Sequence, residues 1–582
     1  MILERTTISD LARMLAPHMD RPAWPGLTDP RAKARARRWA KKLGIWERLE
    51  KELRPRAIPV ITRSDYRDFR RTGRRTLGQA AIKDRLDETV QAALALWLGH
   101  PRADLDYLHD LLWAWCETTT WIWPAHEGRQ VDLGSSHIGR ALAEITWMLA
   151  GTLEDEVVER VRAEVERRIL DPLHDWRHPD GWWTVPMNWN HVCNANVITT
   201  ALYLIRDPRV LAAYIHPLCQ RLDYAIQGFA DDGGCLEGEK YWHYGFGHFA
   251  FAALSLHHRT GGKLNLMTGE RIERICRFPL AAHIEGPLFA TFADCSHGYL
   301  TAEVALAINQ LRPVPELYEL TDRDEEGRLA VRYWRDLVLY RGERATGKAD
   351  QNDYYLPDLG MVKLRAGGAT LVALAGRNDV PHNHNDIGSF IYHRRGRLVL
   401  TDPGAPVYTA KTFSPRRYEI LFCRSLGHSV PIVNGREQKA GSRFHGTMSV
   451  EGLGGAGEKS AVIDMTRAYD EPTLESLRRR LTLAPGGQLT IEDTFRFSRK
   501  PRALEEGFVT YEPVRVVGGG RAVVIGKGRG AARLKSQGCE GKFAARRFVE
   551  ESREGRHEGI LTRIVFTPAS PSRNLRATFT VS

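Results

Sequence analysis

LESLRRRLTLAPGGQLTIEDTFRF, residues 474–497, decides how the second half of this chain is read. Leu477, Leu481 and Leu483 stand at even spacing, as do Leu489, Ile491, Phe495 and Phe497. Side chains of a strand alternate between two faces, so each run gathers its apolar residues on one face. Pro485-Gly486-Gly487 lies between the runs and signals a turn, which predicts an antiparallel hairpin. Leu575, Ala577, Phe579 and Val581 alternate in the same way, and the last strand is therefore expected inside a sheet. Short strands with Gly-rich turns predict stacked antiparallel sheets.

Upstream the period changes to that of a helix. Val157, Val161, Val165 and Ile169 recur every four residues, with Thr152 and Asp155 placed as a capping box. Comparable stretches at 84–98, 104–121, 138–149, 190–205, 210–229 and 241–258 are separated by short Gly- or Pro-bearing loops, predicting helical hairpins stacked in series. The polar run GERATGKADQNDYYLPD (342–358) reads as a linker. The expectation is a multidomain α+β chain: a helical domain over 1–345, then an antiparallel β-sandwich over 346–582.

The chain has 582 residues, too many for one core. Hydrophobic residues make up 43% and charged residues 26%, which excludes a largely disordered chain. No apolar run approaches the roughly 18–20 residues of a membrane span. The start, MILERTTISDLARMLAPHMD, is polar where a signal peptide would be continuously apolar, so a cytoplasmic protein or one shorn of its export signal is expected. Eight cysteines without CxxC spacing read as buried free thiols. The net charge of +12 favours a polyanionic partner, and 15 tryptophans tilt the choice towards sugar, because indole faces stack on sugar rings. RAKARARRWAKK (31–42) is the best nucleic-acid candidate, but it reads as a solvated helix face and no nucleic-acid-binding motif accompanies it.

Three segments are dense in polar and aromatic groups. GWWTVPMNWNHVCNANV (181–197) puts Trp189, Asn190 and His191 at the head of an apolar helix. Amides beside an aromatic wall suit a carboxylate-bearing sugar; a capped helix with a buried Trp is the alternative. In GGCLEGEKYWHYGFGHF (233–249), Tyr241, Tyr244 and His248 fall on one helical face, where phenol and imidazole can form an acid–base pair or a packing stripe. In 376–404, His382, His384, Asn385 and Asp386 precede a strand that a turn at Arg395-Gly396 joins to the next, which Asp402 closes. His-x-His with a later Asp and His suits zinc. Because a simple hairpin leaves His384 roughly 16 Å from Asp402, residues 382–386 must curl back over the sheet end.

NWNHVCNANV, EGEKYWHYG, PHNHNDIGSFIY with LVLTDPG, and RSLGHSVPIVNG, in that order, resemble the heparinase II/III-type polysaccharide lyases, with the related alginate and oligoalginate lyases, over about residues 130–450. The resemblance implies an incomplete (α/α) toroid followed by a β-sandwich. It implies Asn190 as the amide on the uronate carboxylate, His191 and His382 as catalytic histidines, and Tyr244 as the catalytic tyrosine, with Tyr241 competing for that role. It implies His384, Asp402 and His428 as ligands of a structural Zn2+, and Tyr418 near the cleft; Trp189, Glu237, Tyr241 and Arg377 complete the expected substrate contacts. The expected function is β-elimination on an anionic, uronate-containing polysaccharide, most simply a glycosaminoglycan such as hyaluronan, chondroitin or heparan sulfate. Alginate is the alternative polymer. An (α/α) glycoside hydrolase is the alternative enzyme, drawing carboxylates from Asp231, Asp232, Glu237 and Glu239. No nucleic acid or membrane partner is expected, and the oligomeric state is open.

Overall fold

A computed structural model describes residues 6–53, 57–173, 181–348 and 350–582. The chain forms two compact units. The first takes residues 1–228, 242–273 and 300–348; the second takes 229–241, 274–299 and 349–582. The boundary expected at 345 thus falls at 348, but the helical half also gives two segments to the second unit. Those segments carry the hairpin His283–Glu285 and Leu288–Phe289, which periodicity did not reveal.

The first unit is helical, and its helices pack on their chain neighbours: Thr76–Leu98 on Leu105–Glu117, Leu133–Met148 on Asn188–Leu204, and Asn188–Leu204 on both Pro208–Ile226 and Gly247–Arg259. Asn188–Leu204 is buried around nearly its whole circumference, including Asn190, His191, Asn194 and Asn196. Two local expectations need correction. The helix Asp155–Val165 starts after Glu154 and has no side-chain cap, because Gly151 at φ 78° and the Thr152 and Leu153 amides, both bonded to Leu149 O, close the preceding helix instead. The helix expected from Tyr241 is interrupted by a π turn, Trp242–Phe246, before Gly247–Arg259 continues. The added residue rotates Tyr241 off the face shared by Tyr244 and His248. Within residues 31–42, Ala32, Ala36 and Ala40 are buried and the cations point outward, Lys41 and Arg37 lying over Trp46. That is a solvated basic face.

The second unit holds antiparallel sheets of eight, five and four strands around one apolar core. The hairpin forms as the sequence predicts: Leu483 pairs with Leu489, Leu481 with Ile491, and Leu477 with Phe495. Gly487 sits at φ 79°, a left-handed conformation that glycine adopts freely. The last strand, Asn574–Val581, lies inside the eight-stranded sheet beside Leu489–Phe497, burying Ala577, Phe579 and Val581. Two buried arginines tie the site-bearing loops to this core. Arg479 pairs with Asp493 and donates to Gly388 O and Ser429 O. Arg563 donates to the carbonyls of Ser425, Leu426, His428 and Val430. The cysteines are free thiols, and among the described residues no helix is long and apolar enough to cross a membrane.

Candidate active site and metal centre

Chemistry-bearing groups gather at one place in each unit. In the helical unit the π turn presents Tyr244, half-buried, with its hydroxyl 3.2 Å from His137 Nε2. The rings lie nearly parallel at 6.0 Å, and His248 packs edge-on to both. His248 Nδ1 is 2.7 Å from Tyr244 O, so it donates to that carbonyl and fixes the turn. Burial pushes the Tyr244 phenol well above its ordinary value. Burial, reinforced by the charges of Arg140 and Arg335, brings His137 down to about 3. At neutral pH this pair is therefore an intact phenol beside a neutral imidazole.

Asn190 and His191 are both buried. Asn190 is fully buried; its amide donates to Trp183 O at 2.9 Å, and its oxygen accepts from Asn194 Nδ2 at 2.7 Å. His191 is buried with its ring against Phe249, and burial lowers its pKa to about 3. The helix opens after Met187 without a side-chain cap, so the Asn-capped alternative is not formed. Trp189 keeps a half-buried face, with His126 at 4.5 Å and Arg129 above the indole at 4.9 Å, a surface suited to an acidic sugar.

In the second unit, residues 380–386 curl back over the sheet end as the sequence required, through His382 at φ 61°. His382 stacks on Tyr241, centroids 4.0 Å apart and 14° from parallel. Its Nδ1 donates to Asp294 Oδ2 at 2.9 Å, and its Nε2 lies 3.4 Å from Glu237 Oε2. Tyr408 hydrogen-bonds the Tyr241 hydroxyl and donates to Asp294 Oδ2 at 3.0 Å. Asp294 Oδ1 accepts from His384 Nε2 at 2.9 Å and Arg417 Nη2 at 2.8 Å. Burial alone would raise the Asp294 carboxyl, but hydrogen bonds from both histidines and the Arg417 charge hold it well below the carboxylate range. Tyr418 accepts from Asn383 at 3.3 Å, beside this cluster. Arg377 is spent on an exposed ion pair with Asp379 at 2.6 Å.

Two groups of potential metal donors flank the His384 ring: Asp294, His384 and Cys423; and His384, Asp386 and His428, the atoms of each within 4.8 Å of one another. The first already contains the Arg417 cation, and burial pushes the Cys423 thiol up to about 12. The second fits a metal. His384 Nδ1 and Asp386 Oδ2 are buried and have no hydrogen-bond partner, and burial raises Asp386 to about 7, a cost that a cation removes. Asp402, the expected carboxylate ligand, lies 2.9 Å from His428 Nδ1, the nitrogen that also faces Asp386 at 3.8 Å, while His428 Nε2 donates to Phe422 O at 3.0 Å. His384 donates its other nitrogen to a carboxylate, the usual support of a metal-bound imidazole.

Glu237 thus contacts an imidazole. Asp232, a candidate of the hydrolase alternative, is spent on the amides of Gly234, Asp358 and Leu359. A cavity of about 790 Å³ in the helical unit is bordered by Glu52, Asp84, Asp87, Glu88 and Asp104, the wrong sign for a polyanion. His137, Asp294, Tyr408 and Arg417 do not stand out in the sequence. His137 sits one residue before the stretch read as helical from 138; Asp294 lies in FADCSHG, whose composition carries no signal.

Residues 349–564 match the family model described as Heparinase II/III-like, C-terminal. No curated protein matches the sequence. Among solved structures, a heparan sulfate lyase HepC mutant from Pedobacter heparinus is similar at TM-score 0.60 and 11% identity, over 100% of this chain and 91% of that one. A crystal structure of heparinase III gives TM-score 0.62 and 12% identity, over 96% and 92%. A chondroitin AC lyase from Streptomyces coelicolor A3, in complex with chondroitin sulphate, gives 0.52 and 12%, over 99% and 82%. At these identities the likeness is one of fold: a helical region followed by an antiparallel sheet domain.

Proposed function

We propose that this chain, whose residues 349–564 match the model described as Heparinase II/III-like, C-terminal, is a polysaccharide lyase of the heparinase II/III type cleaving uronate-containing anionic polysaccharides by β-elimination, glycosaminoglycans ahead of alginate. The observation that carries the reading is the Tyr244 phenol poised on a neutral His137. Elimination removes H5, α to the C6 carboxylate, and expels the 4-oxygen. H5 is weakly acidic because an anionic carboxylate resists becoming a dianion, and hydrogen-bond donors on the carboxylate lower that cost.

Passing the Tyr244 proton to His137 would span at least the gap from an ordinary phenol near 10 to an imidazole at about 3, roughly 10 kcal/mol at 1.4 per unit. His137 is therefore a poor acceptor for the Tyr244 proton, which suits the phenol to protonating the departing 4-oxygen. His382 is assigned to H5, with Asp294 holding its Nδ1 and a long contact to Glu237 on Nε2. His384, His428 and a carboxylate from Asp386 or Asp402 would hold a zinc ion, whose charge would fix the loop bearing His382. Tyr241 is the second reading for the phenol, favoured by its 4.0 Å stacking on His382.

Purified hyaluronan, chondroitin, heparan sulfate and alginate, each incubated with the protein and followed by the ultraviolet absorbance of the unsaturated uronate, test the proposal. New ends that are all saturated would point to hydrolysis, and an inert panel would remove the uronate assignment.

A further inference from the structure

We propose that Asp294 is the positioning residue that couples the metal centre to the imidazole at the reacting proton, a role resting on the reading of His382 above. One carboxylate, 1% exposed, bonds both histidines of the His-x-His motif: Oδ2 receives His382 Nδ1 and Oδ1 receives His384 Nε2, each at 2.9 Å. A carboxylate only accepts, so both ring nitrogens facing it carry hydrogens. That fixes two tautomers at once. His384 is left with Nδ1 as its lone-pair nitrogen, the atom that belongs to the converging donor set. His382 is left with Nε2 as the nitrogen able to take a proton. Arg417 and Tyr408 hold the carboxylate from its remaining sides, at 2.8 and 3.0 Å.

The backbone supports the same conclusion. Ala293 at φ 62° and His382 at φ 61° are non-glycine residues in the left-handed region, one next to Asp294 and one its partner. Two unfavourable conformations held at one hydrogen-bonded junction fit a geometry maintained for its site. Residues 294, 382, 384, 408 and 417 all belong to the second unit, so the junction is complete within it. An amide at 294 cannot replace the carboxylate: its NH2 would face a ring N–H, and one histidine would have to flip or change tautomer.

The test is Asp294→Asn and Asp294→Glu in the full chain labelled with 15N-histidine, with His382→Gln and His384→Gln assigning the ring signals. Expected in the parent are a His382 Nδ1–H and a His384 Nε2–H signal protected from solvent exchange, with and without added zinc. Asp294→Asn should lose at least one of them. On the uronate polymer found active, kcat should fall roughly 10–100-fold with KM unchanged, the usual range for a group supporting a metal ligand. Asp294→Glu, which keeps the charge, should recover part of kcat. A purely structural role would lower melting temperature and leave kcat, KM and tautomers alone in the folded fraction; that result, or parental ring signals in Asp294→Asn, overturns the proposal. Should Asp294→Asn fail to fold, the parent decides the same question, since a His382 ring protonated only at Nε2 or a His384 ring protonated only at Nδ1 there would refute the proposal. Ring signals that shift as expected in a protein inert to every uronate polymer would uphold the junction and sink the lyase reading instead.

Discussion

Removing the Tyr244 hydroxyl is the most direct perturbation of the proposed acid. Tyr244→Phe keeps the ring that packs 5.2 Å from His248 and deletes the 3.2 Å bond to His137. The structural loss is one hydrogen bond at a half-buried site, worth about 0.5–1.5 kcal/mol. The catalytic loss is a positioned proton donor, typically 10²–10⁴-fold in rate, or about 3–5 kcal/mol. The rate should thus collapse while the melting transition barely moves. Initial rates by ultraviolet absorbance, beside thermal melts of the same samples, measure both quantities. A double-mutant cycle with His137→Ala sharpens the test: the two groups meet through one bond, so the double variant should be little slower than Tyr244→Phe alone. Near-parental turnover by Tyr244→Phe, with Tyr241→Phe inactive, would refute the assignment and transfer it to Tyr241.

Chelation, or His384→Ala, should lower metal content, melting temperature and activity together; Asp386→Ala and Asp402→Ala, compared by zinc stoichiometry, tell which carboxylate is the ligand, and Asp386 is expected to be the costlier loss. His191, held at about 3 by burial against an ordinary 6.5, binds fewer protons folded than unfolded between those values. Stability should therefore fall as pH drops from 6.5 towards 3, by up to roughly 4–5 kcal/mol from this residue, and His191→Gln should flatten that limb in urea titrations. Arg563→Met strands the carbonyls of Ser425, Leu426, His428 and Val430, so it should cost about 3–5 kcal/mol in the same titrations and lower metal content without touching a ligand.

Much of the site is visible in the sequence as composition. The His-x-His motif, Asp402 and His428 stand out because zinc chemistry needs those residue types, and the helical spacing of Tyr244 and His248 holds through the π turn. What fails is the inference from residue type to availability. Asn190 reads as a sugar-binding amide, yet it is buried, with one amide hydrogen on Trp183 O and its oxygen accepting from Asn194, neighbours whose positions depend on how the helix is seated. Tyr241 and Tyr244, three residues apart, belong to different units, which part between Tyr241 and Trp242, where the π turn begins.

Periodicity alone determined the class of each half: even spacing in 474–497 and 575–581 requires strands, and four-residue spacing in 152–170 requires a helix, because each pattern reports only the local relation of side chain to backbone. The hairpin register followed from the same local rule, since a turn of known length fixes which residues face each other. Only the tertiary structure could decide that Asp294 joins His382 and His384 across about ninety positions of chain, that Asp386 and Asp402 both face Nδ1 of His428, and that segments 229–241 and 274–299 leave the helical unit. Contacts of that kind leave no period in the sequence; they exist only where distant segments are brought to one place by the burial of apolar surface elsewhere.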